Sequence, residues 1–255
     1  MTVQLALTPD GRWGYPTAEL VSAAGAAGFN AVGINADRVD EAAVASYRSA
    51  GLLCHEVLAL IVGDDETATL TAARRLADAA GAMRATWVLT VFTAPVSATE
   101  QLIRDCAAII ADAGAAMAVE FSPLGPVSSI NAGMDAVRAA SRGGRAGLMI
   151  DSWHFCFGES TWHELAAVPL DDIAYVQFTD ALVPESRERL VPETLHRRAL
   201  PGQGVLDLDR FAATLRDNGY DGIVSVEVLS AALRELPVDA LVERLHDATA
   251  PYWLS

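Results

Sequence analysis

The feature that most restricts this chain is a repeated change of hydrophobic period, in which short apolar runs alternate with longer segments of helical spacing. Eight runs read as buried strands: 3–7, 31–35, 52–58, 86–91, 116–121, 147–151, 173–178 and 223–228. Between them, segments such as 18–28, 66–81, 99–114, 129–142 and 208–219 place apolar residues three and four apart. Gly28, Gly51, Gly81, Gly114 and Gly219 each stand shortly before a strand, where a helix is expected to stop in the left-handed conformation. This pattern predicts an α/β chain forming a single (β/α)8 TIM barrel over residues 1–255. An open doubly wound sheet shares the alternation but usually carries a glycine-rich phosphate turn after an early strand. Here Thr8-Pro9-Asp10-Gly11-Arg12-Trp13 follows the first strand, with no GxGxxG.

Composition removes whole classes of chemistry. The sequence has no lysine; all 18 basic residues are arginine. Schiff-base aldolases, lysine-type dehydratases, pyridoxal-phosphate enzymes and Walker-type phosphate loops are therefore excluded. A net charge of −15 speaks against nucleic acid as a partner, because that affinity comes largely from neutralised phosphates. Cys54, Cys106 and Cys156 form no CxxC pair and read as small buried hydrophobes. No apolar stretch is long enough for a membrane span. The run from Met1 to Leu7 is strand-like with no basic region before it, so no signal peptide is expected and the cytoplasm is the expected compartment.

Barrel active sites assemble at the C-terminal ends of strands. In the second half those ends carry Glu120, Asp151, Gln177 and Glu227, each embedded in an apolar run where an unpaired charge is costly. Three carboxylates and an amide oxygen converging on one point would repel one another unless a divalent cation joined them. The all-oxygen set suits Mn²⁺ or Mg²⁺, with Co²⁺ a further candidate. His55 and Glu56 on the third strand are candidates for the pocket wall, and Trp13, Phe92 and Trp153 for stacking on a ring. His163, His196 and His246 read as surface or loop residues, and Asp180 as a buttress or a turn cap. The long segment 181–204, with three prolines and the mixed-charge run Glu185-Ser186-Arg187-Glu188-Arg189, reads as an irregular loop on the catalytic face, placed to act as a lid.

Over most of its length, and most strongly from Val119 onward, the chain resembles the xylose-isomerase-like TIM-barrel superfamily of sugar isomerases and epimerases, which includes inosose dehydratase and metal-dependent 3-dehydroshikimate dehydratase. The resemblance is carried by Glu120, the Asp-x-x-His of Asp151 and His154, and Val176-Gln177-Phe178-Thr179-Asp180. Arg198-Ala199-Leu200-Pro201-Gly202-Gln203-Gly204 and Gly219-Tyr220-Asp221-Gly222 leading into Glu227 complete it. It implies that Glu120, Asp151, Gln177 and Glu227 ligate the metal, with glutamine as the third ligand matching some dehydratases and histidine being usual in epimerases. It implies further that His154 lies near substrate oxygens and that Arg198, or its neighbour Arg197, faces a small-molecule substrate. Relatives often pair, so a homo-oligomer is an option. Two departures stand out: Gly33-Ile34-Asn35 ends the second strand where many members carry a glutamate, and no lysine can touch substrate.

The primary reading is a divalent-metal-dependent isomerase or epimerase of a sugar or polyol-type carbonyl compound, passing through an enediolate with Glu120 and Glu227 as acid/base pair. The alternative is a dehydratase of a cyclic keto-polyol such as 3-dehydroshikimate or an inosose. An endonuclease IV-like repair enzyme would need a histidine-rich site and a basic groove. A non-catalytic subunit would have no use for four ligands.

Overall fold

The computed structural model describes residues 3–186 and 188–254; the start of the first apolar run at Met1 and Arg187 of the charged loop lie outside them. Eight parallel strands close into a barrel: β1 (Gln4–Leu7), β2 (Ala31–Asn35), β3 (Leu53–Val62), β4 (Trp87–Phe92), β5 (Ala116–Glu120), β6 (Ala146–Asp151), β7 (Ile173–Phe178) and, after two short strands, β10 (Ile223–Val226). The short strands β8 (Asp180–Ala181) and β9 (Arg198–Ala199) pair antiparallel beside the barrel. β1 pairs with both β2 and β10, which closes the cylinder. The expected fold is the observed one.

The helices stop largely where the glycines require. Gly28, Gly51, Gly114 and Gly219 all have positive φ. Gly81 does not: its helix runs through it to Met83 and closes instead on Arg84, at φ 52°. The main core lies between barrel and helices, with Leu5, Val32, Val57, Val119, Ile150 and Val224 pointing outward into it. A second cluster fills the lower barrel, where Ala116 and Ala118 leave room for Trp87, Met149 and Tyr175. That layer is a packed floor, so polar chemistry is confined above it. Among the described residues no helix is long and apolar enough to cross a membrane.

The segment 181–204 is not an irregular loop. It holds a helix at Leu190–His196 and returns along β9. Its final turn wraps on Asp180, whose carboxylate accepts backbone N–H groups of Ala181 (2.8 Å), Gly202 (3.1 Å), Gly204 (2.8 Å) and Leu206 (3.0 Å). A Cβ on Gly204 would lie 2.2 Å from the Ala181 carbonyl oxygen, so only glycine fits there. Asp180 is thus a turn cap. It delivers Arg198 back over the barrel mouth.

Candidate active site

Each of the four expected ligands stands at the same rim. Glu120 and Asp151 are the last residues of β5 and β6, Gln177 is the penultimate residue of β7, and Glu227 follows β10. Asp151 and Gln177 are register partners across β6 and β7. Asp151 also caps the short helix Ser152–Phe157, accepting N–H bonds from Trp153 (2.6 Å) and His154 (3.1 Å). This cap turns His154 back over β5, where its Nε2 lies 2.8 Å from Glu120 Oε1. Its Nδ1 is 3.2 Å from Ser122 Oγ, a partner that sequence reasoning missed because serine two residues past a strand-end glutamate carries no signal of its own. Glu120, Asp151 and His154 offer ligand atoms all within 4.8 Å of one another.

Arg198 joins the remaining carboxylate to this group. Its guanidinium is buried, and Nη1 donates to Asp151 Oδ2 at 2.7 Å while lying 3.0 Å from Glu227 Oε2. Thr194 holds the other end through its hydroxyl, and the guanidinium carbon sits 5.5 Å from the centre of the Trp153 ring. Arg197, the rival candidate, turns away to Glu185, Glu193 and the Val183 carbonyl. One cation cannot satisfy three acids. Burial would raise Asp151, but Arg198 and then His154 outweigh it and hold that carboxyl below its ordinary value. For Glu227 burial is the largest influence and dominates: Arg198 opposes it, Asp151, Glu120 and Glu56 reinforce it, and the carboxyl is pushed well above the usual range. Glu227 is therefore the acid that holds on to its proton and so relieves the site's surplus negative charge.

Gln177 provides a test of whether a metal suits these residues. Both its side-chain Oε1 and Nε2 are buried without a hydrogen-bond partner. An unpartnered amide in a dry interior costs about 1–3 kcal/mol. A cation drawing on Gln177 Oε1 and the three carboxylates would remove that penalty and the surplus charge together. The residues fit a hard divalent ion. His154 is the alternative nitrogen donor, but its Nε2 already faces Glu120 while Gln177 faces nothing.

The other candidates separate. Trp153 is buried at the site, stacked on Phe157 at 4.5 Å, with its indole N–H unpartnered. Trp13 is buried in the main core against Tyr15, with its indole N–H also unpartnered, and Phe92 is core as well. His55 does not reach the rim; it lies inside the barrel, edge-on to Tyr175 at 5.5 Å. His163 and His196 are exposed, and His246 packs edge-on against Phe29 on the outer wall.

Residues 12–248 match the family profile described as xylose isomerase-like TIM barrel. A stretch of 106 residues, 42% of this chain, is 34% identical to a 3-dehydroshikimate dehydratase of Pseudomonas aeruginosa but spans only 16% of that protein. A 138-residue stretch, 53% of the chain, is 29% identical to 48% of an inosose isomerase of Bacillus licheniformis. Among solved structures, the IOLI protein with a bound zinc atom superposes at a TM-score of 0.82 over 98% of both chains, at 17% identity.

Proposed function

Because the chain belongs to the xylose isomerase-like TIM barrel family, whose members here include isomerases and dehydratases, we propose that it is a divalent-metal-dependent isomerase or epimerase of an uncharged, polyhydroxylated carbonyl compound. The observation that carries this reading is the buried, partnerless amide of Gln177 at a rim where Asp151 and Glu227 share a single guanidinium and Glu120 meets only His154. A divalent cation held by Glu120, Asp151, Gln177 and Glu227 would supply Lewis-acid stabilisation of the charge that develops on substrate oxygens when a neighbouring C–H proton leaves.

The residues of this chain divide the remaining work. Glu227, at the rim just past β10, is suited to accept a proton and return it. Glu120 stands across the mouth, with two strands of the barrel between β5 and β10, and is held by His154, which Ser122 contacts in turn. Carboxylates approaching one carbon from two sides can take a proton from one face and give it back on the other, which is epimerisation; return at the adjacent carbon is isomerisation. Trp153 offers an N–H and an aromatic wall, and its packing excludes water from one side. Arg198 already serves Asp151 and Glu227, which favours a neutral substrate over one bearing its own carboxylate or phosphate.

A second reading is dehydration of a cyclic keto-polyol. It is favoured by glutamine at the third ligand position and by the match to the dehydratase of P. aeruginosa. Both readings share the first proton abstraction. The test is incubation of metal-stripped protein, reloaded with Mn²⁺, Mg²⁺ or Co²⁺, with inososes and ketoses in D2O. Solvent deuterium entering next to the carbonyl without loss of water supports the first reading. A conjugated, ultraviolet-absorbing product from an inosose or 3-dehydroshikimate supports the second. No exchange and no metal uptake would remove both.

A further inference from the structure

We propose that Glu56 is a positioning residue for the cation site, tying together from the layer beneath it the strands that carry Gln177 and Glu227 and adding a fixed negative charge below the metal. The inference rests on the metal-dependent reading above. It begins with an irregularity in the sheet. Between β2 and β3 the register runs Val32 to Cys54 and then Ile34 to Val57, so the single residue Gly33 faces both His55 and Glu56. This is a β-bulge, which places two consecutive side chains on one side of a strand, and bulges are often found beside active sites. Cys54 and Val57 on either side point outward into the main core. Gly33 is the counterpart of the bulge: a Cβ there would lie 2.8 Å from both Cγ and Oε1 of Glu56. The barrel is built around this carboxylate.

Glu56 is completely buried, yet every side of it meets a donor. The Thr8 hydroxyl donates to Oε1 and the Tyr175 hydroxyl to Oε2. His55 Nε2 stands 3.1 Å from Oε1, at ion-pair distance but off the line of a hydrogen bond. Thr8 Oγ1 is also 2.6 Å from Ser225 Oγ. Ser225 and Tyr175 sit two residues before Glu227 and Gln177 on their strands, and on a strand residues two apart share a face. Glu56 therefore fastens β1, β7 and β10 to one another directly below two ligands. Burial alone would raise its carboxyl, but His55, Thr8 and Tyr175 hold it below its ordinary value, so the charge is retained. A buried carboxylate with no outlet to solvent attracts a divalent ion more strongly than an exposed one would. Neither epimerisation nor dehydration calls for this residue to touch substrate.

The test is Mn²⁺ binding by titration calorimetry to the metal-stripped full chain, with the melting temperature of the metal-free protein measured alongside. Glu56→Gln keeps the volume and removes the charge; it is expected to weaken Mn²⁺ binding about tenfold, about 1.4 kcal/mol. Tyr175→Phe and Thr8→Val each cut one tie and keep the charge, with an expected loss of about threefold. Should Glu56→Gln fail to fold, these two variants decide. A lowered melting temperature with wild-type Mn²⁺ affinity in every folded variant would reduce Glu56 to a structural residue and overturn the proposal while leaving the metal reading intact. A wild-type chain that takes up no Mn²⁺ would overturn both.

Discussion

Two glutamates in this barrel face the same problem and solve it in opposite ways. Glu56 lies in the sealed layer, where Thr8, Tyr175 and His55 gather round it and its carboxyl is held low. Glu227 lies at the rim above, with Arg198 shared against Asp151 and with two further acids nearby, and its carboxyl is pushed high. Burial opposes the charged form in both. The difference is the number of donors per acid, and it separates a carboxylate that holds structure from one left poised to exchange a proton or to gain a cation.

The contrast can be broken most severely at the residue that feeds on the shared guanidinium. Asp151→Ala removes a helix cap and the nearer partner of a buried arginine, and is expected to cost about 3–5 kcal/mol and to abolish metal uptake. Chemical denaturation and metal analysis check it; a loss under 1 kcal/mol, on the scale of an exposed ion pair, would mean that Arg198 needs no partner there. Glu227→Gln comes next. It should lower turnover about 100-fold or more, yet leave the metal-free protein as stable as wild type or more so at neutral pH. The sign follows from linkage: a carboxyl raised in the fold binds more protons folded than unfolded, so its contribution to stability falls as pH rises through that window.

Glu56 should behave in the opposite sense. Its carboxyl is depressed in the fold, so its stabilisation is present above the unfolded value near 4.5 and is lost as pH falls towards the folded one. Thermal melts of metal-free wild type and Glu56→Gln between pH 3 and 7 should converge at the acid end and separate above it. Parallel curves would contradict the assignment. The smallest effect expected is from Gly33→Ala, which crowds Glu56 by one methyl and should cost about 1–3 kcal/mol. A neutral result would show that the bulge yields easily.

The same contrast marks how far the sequence could be read. Glu120, Asp151, Gln177 and Glu227 were legible because a polar residue closing an apolar strand has few reasons to be there, and barrel geometry sends all such ends to one rim. The site's charge sharing was only half legible: Arg198 was expected to face substrate, and it does reach the rim, but its hold on Asp151 and Glu227 depends on the turn that Asp180 shapes through four backbone N–H groups. No local pattern distinguishes that from an ordinary loop. His55 and Glu56 were harder still. Strict alternation puts neighbours on opposite faces of a strand, and only the register slip opposite Gly33 turns both inward. Trp13 is ambiguous for a simpler reason: an aromatic residue after the first strand serves a pocket or a core equally well, and here it packs in the core with its indole N–H unpartnered.

The central claim is that one divalent cation is gathered by oxygens from β5, β6 and β7 and from Glu227 beyond β10. Anomalous diffraction from crystals grown with Mn²⁺ tests it most directly. The account predicts a single strong peak bounded by Glu120, Asp151, Gln177 and Glu227, with the Gln177 side-chain oxygen turned towards it. A peak that leaves Gln177 unengaged, or no peak at that rim at saturating Mn²⁺, would contradict it.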